Sequence, residues 1–177
     1  MKSYLVVTIT CPDRPGIVER ITEVLVAHGG NWEESRLARL GGDFAGIVLV
    51  GVAPDRADAL AASLAALADE GLTVLVKPTQ PRADADRCTL HHLRLTGADH
   101  EGIVHRIAAY LASQGINVET METDVVPAPV TATPLFRMEA WINVPPRLVL
   151  ADLQANLTRI GDELGTDIEL EPNGSAT

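Results

Sequence analysis

Asp13-Arg14-Pro15-Gly16-Ile17 and Asp99-His100-Glu101-Gly102-Ile103 decide how this chain folds. Each follows a short apolar run that reads as a strand, residues 4–9 before the first and 90–95 before the second. Each then opens a run whose apolar residues recur at helical spacing. A strand that turns through Asp and Gly into a helix leaves backbone N–H groups unpaired at the helix start. Together with the helix dipole, those groups form a seat for a small anion such as a carboxylate.

The two stretches stand 86 residues apart, and the same offset pairs Gly16 with Gly102, Ile17 with Ile103, Val18 with Val104 and Arg20 with Arg106. It continues through Ile21/Ile107, Leu25/Leu111, Gly29/Gly115, Asn31/Asn117 and Glu33/Glu119, so ten of the 21 positions from 13 to 33 recur. Agreement at that density marks a duplicated module. In the first copy Leu5, Val7 and Ile9 alternate as a strand does, and a helix starting at Ile17 stops at Gly29-Gly30. Residues 31–40 and 44–52 read as two strands joined by the hairpin signal Gly41-Gly42. Pro54-Asp55 starts an Ala- and Leu-rich helix that lasts to Gly71, and 73–76 is a closing strand ended by Pro78. The second copy repeats this order with strands at 90–96, 117–126, 135–144 and 167–170 and helices at 102–113 and 147–164. Its hairpin is longer, carrying Pro127, Pro129 and Pro134, and the tail at 172–177 reads as frayed.

The order β-α-β-β-α-β, twice, predicts an α+β chain of two tandem ferredoxin-like units, each a sheet with its helices on one face. The expected division is a first domain at 1–78, a charged, Pro-containing linker at 79–87 and a second domain at 88–172. Residues 44–50 are apolar on both faces of their strand, which asks for a cover on the open side. A unit of about 80 residues also buries little surface alone, so close pairing of the halves and a homodimer are expected.

A formal net charge of −10 argues against a nucleic-acid surface and against adhesion to anionic membranes. The first residues, Met1-Lys2-Ser3-Tyr4, do not read as a signal peptide, and no run is long and apolar enough to span a bilayer. Cys11 and Cys88 do not correspond between the copies; two unmatched thiols point to a reducing, cytoplasmic setting. The five His show no metal spacing, no C-x-x-C or H-E-x-x-H occurs, and no Ser-His-Asp order or glycine-rich phosphate loop stands out. No metal, no cofactor and no enzymatic activity are therefore expected.

The 13–17 turn also has a plain structural reading, in which Asp13 is an N-cap, Pro15 lies in the first helical turn and Gly16 permits close packing. Asn31 tilts the balance toward a ligand. It follows the helix-ending glycine and opens the next strand, so its amide, a donor and an acceptor together, is expected beside the turn.

The segments Thr8-Ile9-Thr10-Cys11-Pro12-Asp13-Arg14-Pro15-Gly16-Ile17-Val18 and Gly30-Asn31-Trp32-Glu33-Glu34-Ser35-Arg36-Leu37-Ala38-Arg39-Leu40-Gly41-Gly42-Asp43-Phe44 resemble an ACT domain. The resemblance covers about residues 3–171 and is greatest to the group of the glycine-cleavage-system transcriptional repressor, built from two tandem ACT domains. It implies amino-acid sensing between ACT modules, with glycine as ligand and a transcription activator as protein partner. Carried over by position, the ligand-binding residues are Asp13, Arg14, Pro15, Gly16, Ile17 and Asn31, and in the second copy Asp99, Gly102, Ile103 and Asn117. His100 and Glu101 stand where the motif has Arg and Pro, and a Glu101 carboxylate would repel an incoming carboxylate, so the second seat is expected to be weaker. Two rival readings stay open: a ligand-free structural or dimerisation module, and a regulatory partner of a metabolic enzyme, since ACT modules also precede formyltetrahydrofolate deformylase and phosphoserine phosphatase.

Overall fold

β1 (Ser3–Pro12) sends Leu5, Val7, Ile9 and Cys11 to one face, where each is buried. Against that face lies α1 (Ile17–Ala27), whose Ile17, Ile21, Val24 and Leu25 recur at helical spacing and are buried with them. A computed structural model describes residues 2–80, 88–128 and 133–172 of the chain. It shows two compact units, Met1–Ala83 and Asp84–Thr177.

In the first unit β2 (Asn31–Leu40) and β3 (Asp43–Val52) form the hairpin, α2 (Ala57–Ala65) follows between two short 3-10 turns, and β4 (Thr73–Thr79) closes the sheet. The order is β2-β3-β1-β4, every neighbouring pair antiparallel. Leu60, Leu64 and Leu67 complete the core from the second crossover and are at most 1% exposed. The second unit repeats the plan with β5 (Thr89–Ala98), α3 (Ile103–Ser113), β6 (Asn117–Pro127), β7 (Pro134–Val144), α4 (Leu150–Leu164) and β8 (Thr166–Pro172), sheet order β6-β7-β5-β8. Leu93, Leu95, Ile107, Ile142, Leu157 and Ile160 are its innermost side chains. Two ferredoxin-like βαββαβ units are thus present, as the repeat requires.

The differences from the sequence reading lie at element ends. β4 does not stop at Pro78: Pro78 pairs with Leu5 and the strand reaches Thr79. Pro is tolerated there because β4 is an edge strand, with one side free of ladder donors. β8 likewise starts at Thr166 and reaches Pro172, and α4 begins at Leu150, three residues later than its apolar pattern implied. Residues 81–87 of the expected linker, Pro129 of the second hairpin and 173–177 of the tail lie outside the described residues.

The sheet faces turned away from the helices differ between units. On the first, Val6, Ile47 and Leu49 with Glu34, Arg36 and Thr79 line a shallow cavity of about 250 Å³, and Ile47 is 49% exposed. On the second, the register aligns Asp124, Arg137 and Asp167 in one row and Glu122, Glu139, Arg94 and Glu169 in the next. The both-faces apolar pattern read from β3 does not recur in β7, where Arg137, Glu139 and Trp141 stand at the places of the outward Ala45, Ile47 and Leu49. His92 sits there too, stacked on Trp141 with ring centroids 4.6 Å apart.

Candidate ligand-binding site

The two turns have nearly the same backbone. Gly16 has φ 91° and ψ −3°, Gly102 φ 91° and ψ −6°, a left-handed conformation open to Gly at little cost. Each glycine is the N-cap residue, and its carbonyl accepts the first helical bond, from Arg20 N–H and Arg106 N–H at 2.9 Å. Among the described residues no side chain caps either helix start. The N–H groups of the first turn are therefore left to solvent or a ligand.

This corrects the plain reading of the turn. Asp13 is not the N-cap: its N–H donates to Gly42 O at 2.9 Å, and its carboxylate lies 3.8 Å from Arg39 Nε. Pro15 precedes the helix. Gly16 is not a packing device either, because a Cβ there would meet only Glu19 Oε2, at 3.9 Å, and at Gly102 it would meet nothing within 4 Å. Backbone angle selects these glycines. Ile17 and Ile103, 3% and 2% exposed, anchor the turns in the two cores, so their side chains face away from the open corner.

Arg14 has an intramolecular partner. Its Nη2 donates to Glu70 O at 3.2 Å, the carbonyl just before the left-handed Gly71 that ends the second crossover. Arg20, one turn into α1, grips the Glu70 carboxylate at 2.6 Å, which drives the Glu70 carboxyl below its ordinary range. Arg106 holds Glu163 at 3.0 Å in the same way. The Arg20/Arg106 identity therefore serves to tie each first helix to the end of the next. The sequence contained that cue as a repeated Arg, but the two Glu partners fall out of register after the hairpin insertion.

Asn31 corrects the geometry further. In the ladder Asn31 pairs with Gly51, which pairs with Tyr4, nine residues along β1 from Asp13. At ~3.3 Å per residue that is roughly 30 Å. β1 climbs to the turn and α1 descends from it, so β2 starts at the far end of the sheet. Asn117 is placed likewise, paired with Asn143 opposite Leu90 and nine residues from Asp99. Both Asn also have a local task. Asn117 Nδ2 donates to Glu119 Oε1 at 2.8 Å, and Glu33, held by Lys2 and hydrogen-bonded by Asn31, has its carboxyl lowered. The ladder register slips across Glu33 and again across Glu119, so the repeated Asn-x-Glu marks a β-bulge at the start of each second strand.

The structure thus brings Asp13, Arg14, Pro15, Gly16 and Ile17 together at one corner of the first unit, and Asp99, Gly102 and Ile103 at the matching corner of the second. Asn31 and Asn117 lie at the opposite ends of their own sheets. No cluster of three or more His, Cys, Asp or Glu with metal-holding geometry occurs among the described residues.

Two α+β units with a glycine turn at each first helix make a duplicated module, and comparison with known proteins identifies the family of the first. Residues 3–77 match the family model described as ACT domain. The first unit is an ACT domain, and the second unit repeats its βαββαβ plan. It is 29% identical over 126 residues to the glycine cleavage system transcriptional repressor of Escherichia coli (strain K12), a match covering 71% of this chain and 66% of that protein. It is 27% identical over 179 residues to phosphoserine phosphatase SerB2 of Mycobacterium tuberculosis, covering 99% of this chain but 42% of the phosphatase. The solved structure of an unknown protein from Galdieria sulphuraria is 34% identical and superposes with a TM-score of 0.81 over 97% of this chain and 99% of that one. The chain therefore spans just under two thirds of the repressor's length and less than half of the phosphatase's. Among the described residues no helix is long and apolar enough to cross a membrane.

Proposed function

We propose that this chain is a non-enzymatic amino-acid sensor that binds glycine or another small amino acid between ACT modules and regulates a transcription factor by protein contact. The observation that supports it most is the pair of left-handed glycine turns with uncapped helix starts, where a Cβ would meet only Glu19 Oε2, at 3.9 Å, at Gly16 and nothing within 4 Å at Gly102. The ligand carboxylate sits on the N–H groups that follow Gly16, where the helix dipole favours negative charge. Arg14 and Arg20 hold the corner in shape from behind. Asn31 lies some 30 Å away in its own unit by strand length, so it takes part only from a neighbouring module, its amide meeting the turn of another. A shared site of this kind makes ligand occupancy depend on how modules are arranged, which is the differential affinity that regulation needs. The glycine assignment and the transcription partner follow the named repressor to which the chain is similar. A homodimer supplies the neighbouring modules. The second corner binds less well, since Glu101 places a carboxylate beside it.

A thermal-shift screen across the free amino acids tests this reading. Ligand at ~100 times its Kd adds about 2.7 kcal/mol, a rise of roughly 5–10 °C for a chain of this size. Asn31→Ala should remove the rise and leave the protein folded. No rise with any amino acid would overturn the reading and leave the structural, ligand-free module. The similarity to phosphoserine phosphatase SerB2, which runs along 99% of this chain, favours a second reading in which the partner is a metabolic enzyme. Affinity capture from cells, with and without glycine, separates the two by whether a DNA-binding activator or an enzyme is retained.

A further inference from the structure

His100 stands at the position of Arg14, one residue after the turn Asp, and it does the same job with a different kind of cation. Arg14 donates to Glu70 O; His100 places Nε2 2.8 Å from Leu164 O, the carbonyl just before the left-handed Gly165 that ends α4. Its other nitrogen, Nδ1, lies 2.9 Å from Glu101 O, within its own turn. Both ring nitrogens therefore face carbonyl oxygens, which only accept. A neutral imidazole has a single N–H and can serve one of them, while the other contact sets a lone pair against an oxygen. The imidazolium has two N–H groups and serves both. The end of α4 adds its own preference for a cation, since the last carbonyls of a helix carry its negative pole.

We propose that the second unit carries a proton-operated latch, in which charged His100 ties the 99–102 turn to the end of α4 and neutral His100 gives up one of the two ties. The first unit holds the same joint with Arg14, which stays charged at every physiological pH. One chain thus has a permanent joint and a titrating one at equivalent places.

The charged groups on the elements that meet there act in the same direction or are already engaged. On the turn, Asp99 attracts the imidazolium, and Glu101 is adjacent. α3 brings Arg106 and α4 brings Arg159, but both are held by Glu163. α4 also carries Asp162 and β8 Asp167, and neither makes an ion pair with His100. The bond to Leu164 O, then that to Glu101 O, raise the His100 pKa above its ordinary value of 6.5. The sign follows. A folded-state pKa above the unfolded one means stability that is fully present below pH 6.5 and is lost as pH rises through the folded value. The latch does not depend on the turn binding a ligand.

The test is a histidine-resolved NMR titration of the full chain, with thermal unfolding of the wild type and of His100→Arg across pH 5.5–8.5. The expected result is a His100 resonance titrating above 6.5, and a wild-type melting temperature that drops below that of His100→Arg as pH rises through that midpoint. The other four His are common to both proteins and cancel in the difference. His100→Gln, which has one amide nitrogen in place of two ring nitrogens and does not titrate, should behave at all pH values as the wild type does at high pH. A His100 midpoint at or below 6.5, or parallel pH profiles for wild type and His100→Arg, would overturn the latch.

Discussion

Gly16→Ala isolates the backbone angle on which the candidate seat rests. At φ 91° an L side chain costs about 1–2 kcal/mol. No clash adds to this, because the new Cβ meets only Glu19 Oε2 at 3.9 Å, an ordinary contact. For a unit of this size the loss corresponds to roughly 5–15 °C in the transition of the first unit. Gly16→Asn should lose less, since Asn visits the left-handed region more readily. Gly46→Ala is the contrasting case: its Cβ would fall 2.4 Å from Arg36 O and from Leu37 Cδ2, so backbone must move and the cost exceeds that at Gly16. Differential scanning calorimetry of the three variants gives the ranking, with Gly46→Ala lowest, then Gly16→Ala, then Gly16→Asn. If Gly16→Ala melts with the wild type, the turn is not left-handed and the helix start is not presented as described. Equal losses for Ala and Asn would show that space, and not backbone angle, selects glycine there.

Three further outcomes follow from single residues. Thr166 Oγ1 is buried and has no hydrogen-bond partner among the described residues, so Thr166→Val should leave stability unchanged or raise it by up to ~1–3 kcal/mol, read as an increased urea midpoint. Glu70, its carboxyl lowered by Arg20, contributes stability that is present above its ordinary pKa of 4.5 and lost as pH falls through the depressed folded value. Glu70→Gln should therefore flatten the acid side of the stability profile below pH 4.5 while changing little in its shape near neutrality. Cys88 is half-buried whereas Cys11 is 5% exposed with its thiol pushed up by burial, so a thiol reagent should modify Cys88 in the native protein and Cys11 only on unfolding.

The architecture was legible because two periodicities and a repeat agree. Alternation in β1, helical spacing in α1 and the 86-residue offset each point to the same unit. Strand ends were not legible at Pro78 and Pro172: a missing N–H ends a central strand but not an edge strand, and edge position is a property of the sheet order. The turn was found, but its parts were misassigned. The plain reading makes Asp13 a cap because Asp caps helices, yet the left-handed Gly16 takes the N-cap place and leaves Asp13 outside. The position of Asn31 after a helix-ending glycine suggests a place near the turn. The direction of α1, running back along the sheet, puts it at the other end. Its duplication with Glu33 has a sufficient local cause in the bulge at each β2-type strand. Arg14 and His100 looked like a lost match between the copies. Only the fold brings both to the last carbonyl before a left-handed glycine, because that carbonyl lies 56 or 64 residues away in sequence.

The central claim is that a small amino acid sits with its carboxylate on the start of α1. A glycine titration followed in backbone-amide and side-chain-amide NMR tests it directly. The account predicts saturable shifts at the amides of Ile17, Val18 and Glu19 and at the Asn31 side chain, with smaller changes at the 102–105 amides. Saturable shifts confined to Val6, Ile47 and Leu49 around the sheet-face cavity, or none with any amino acid, would contradict it.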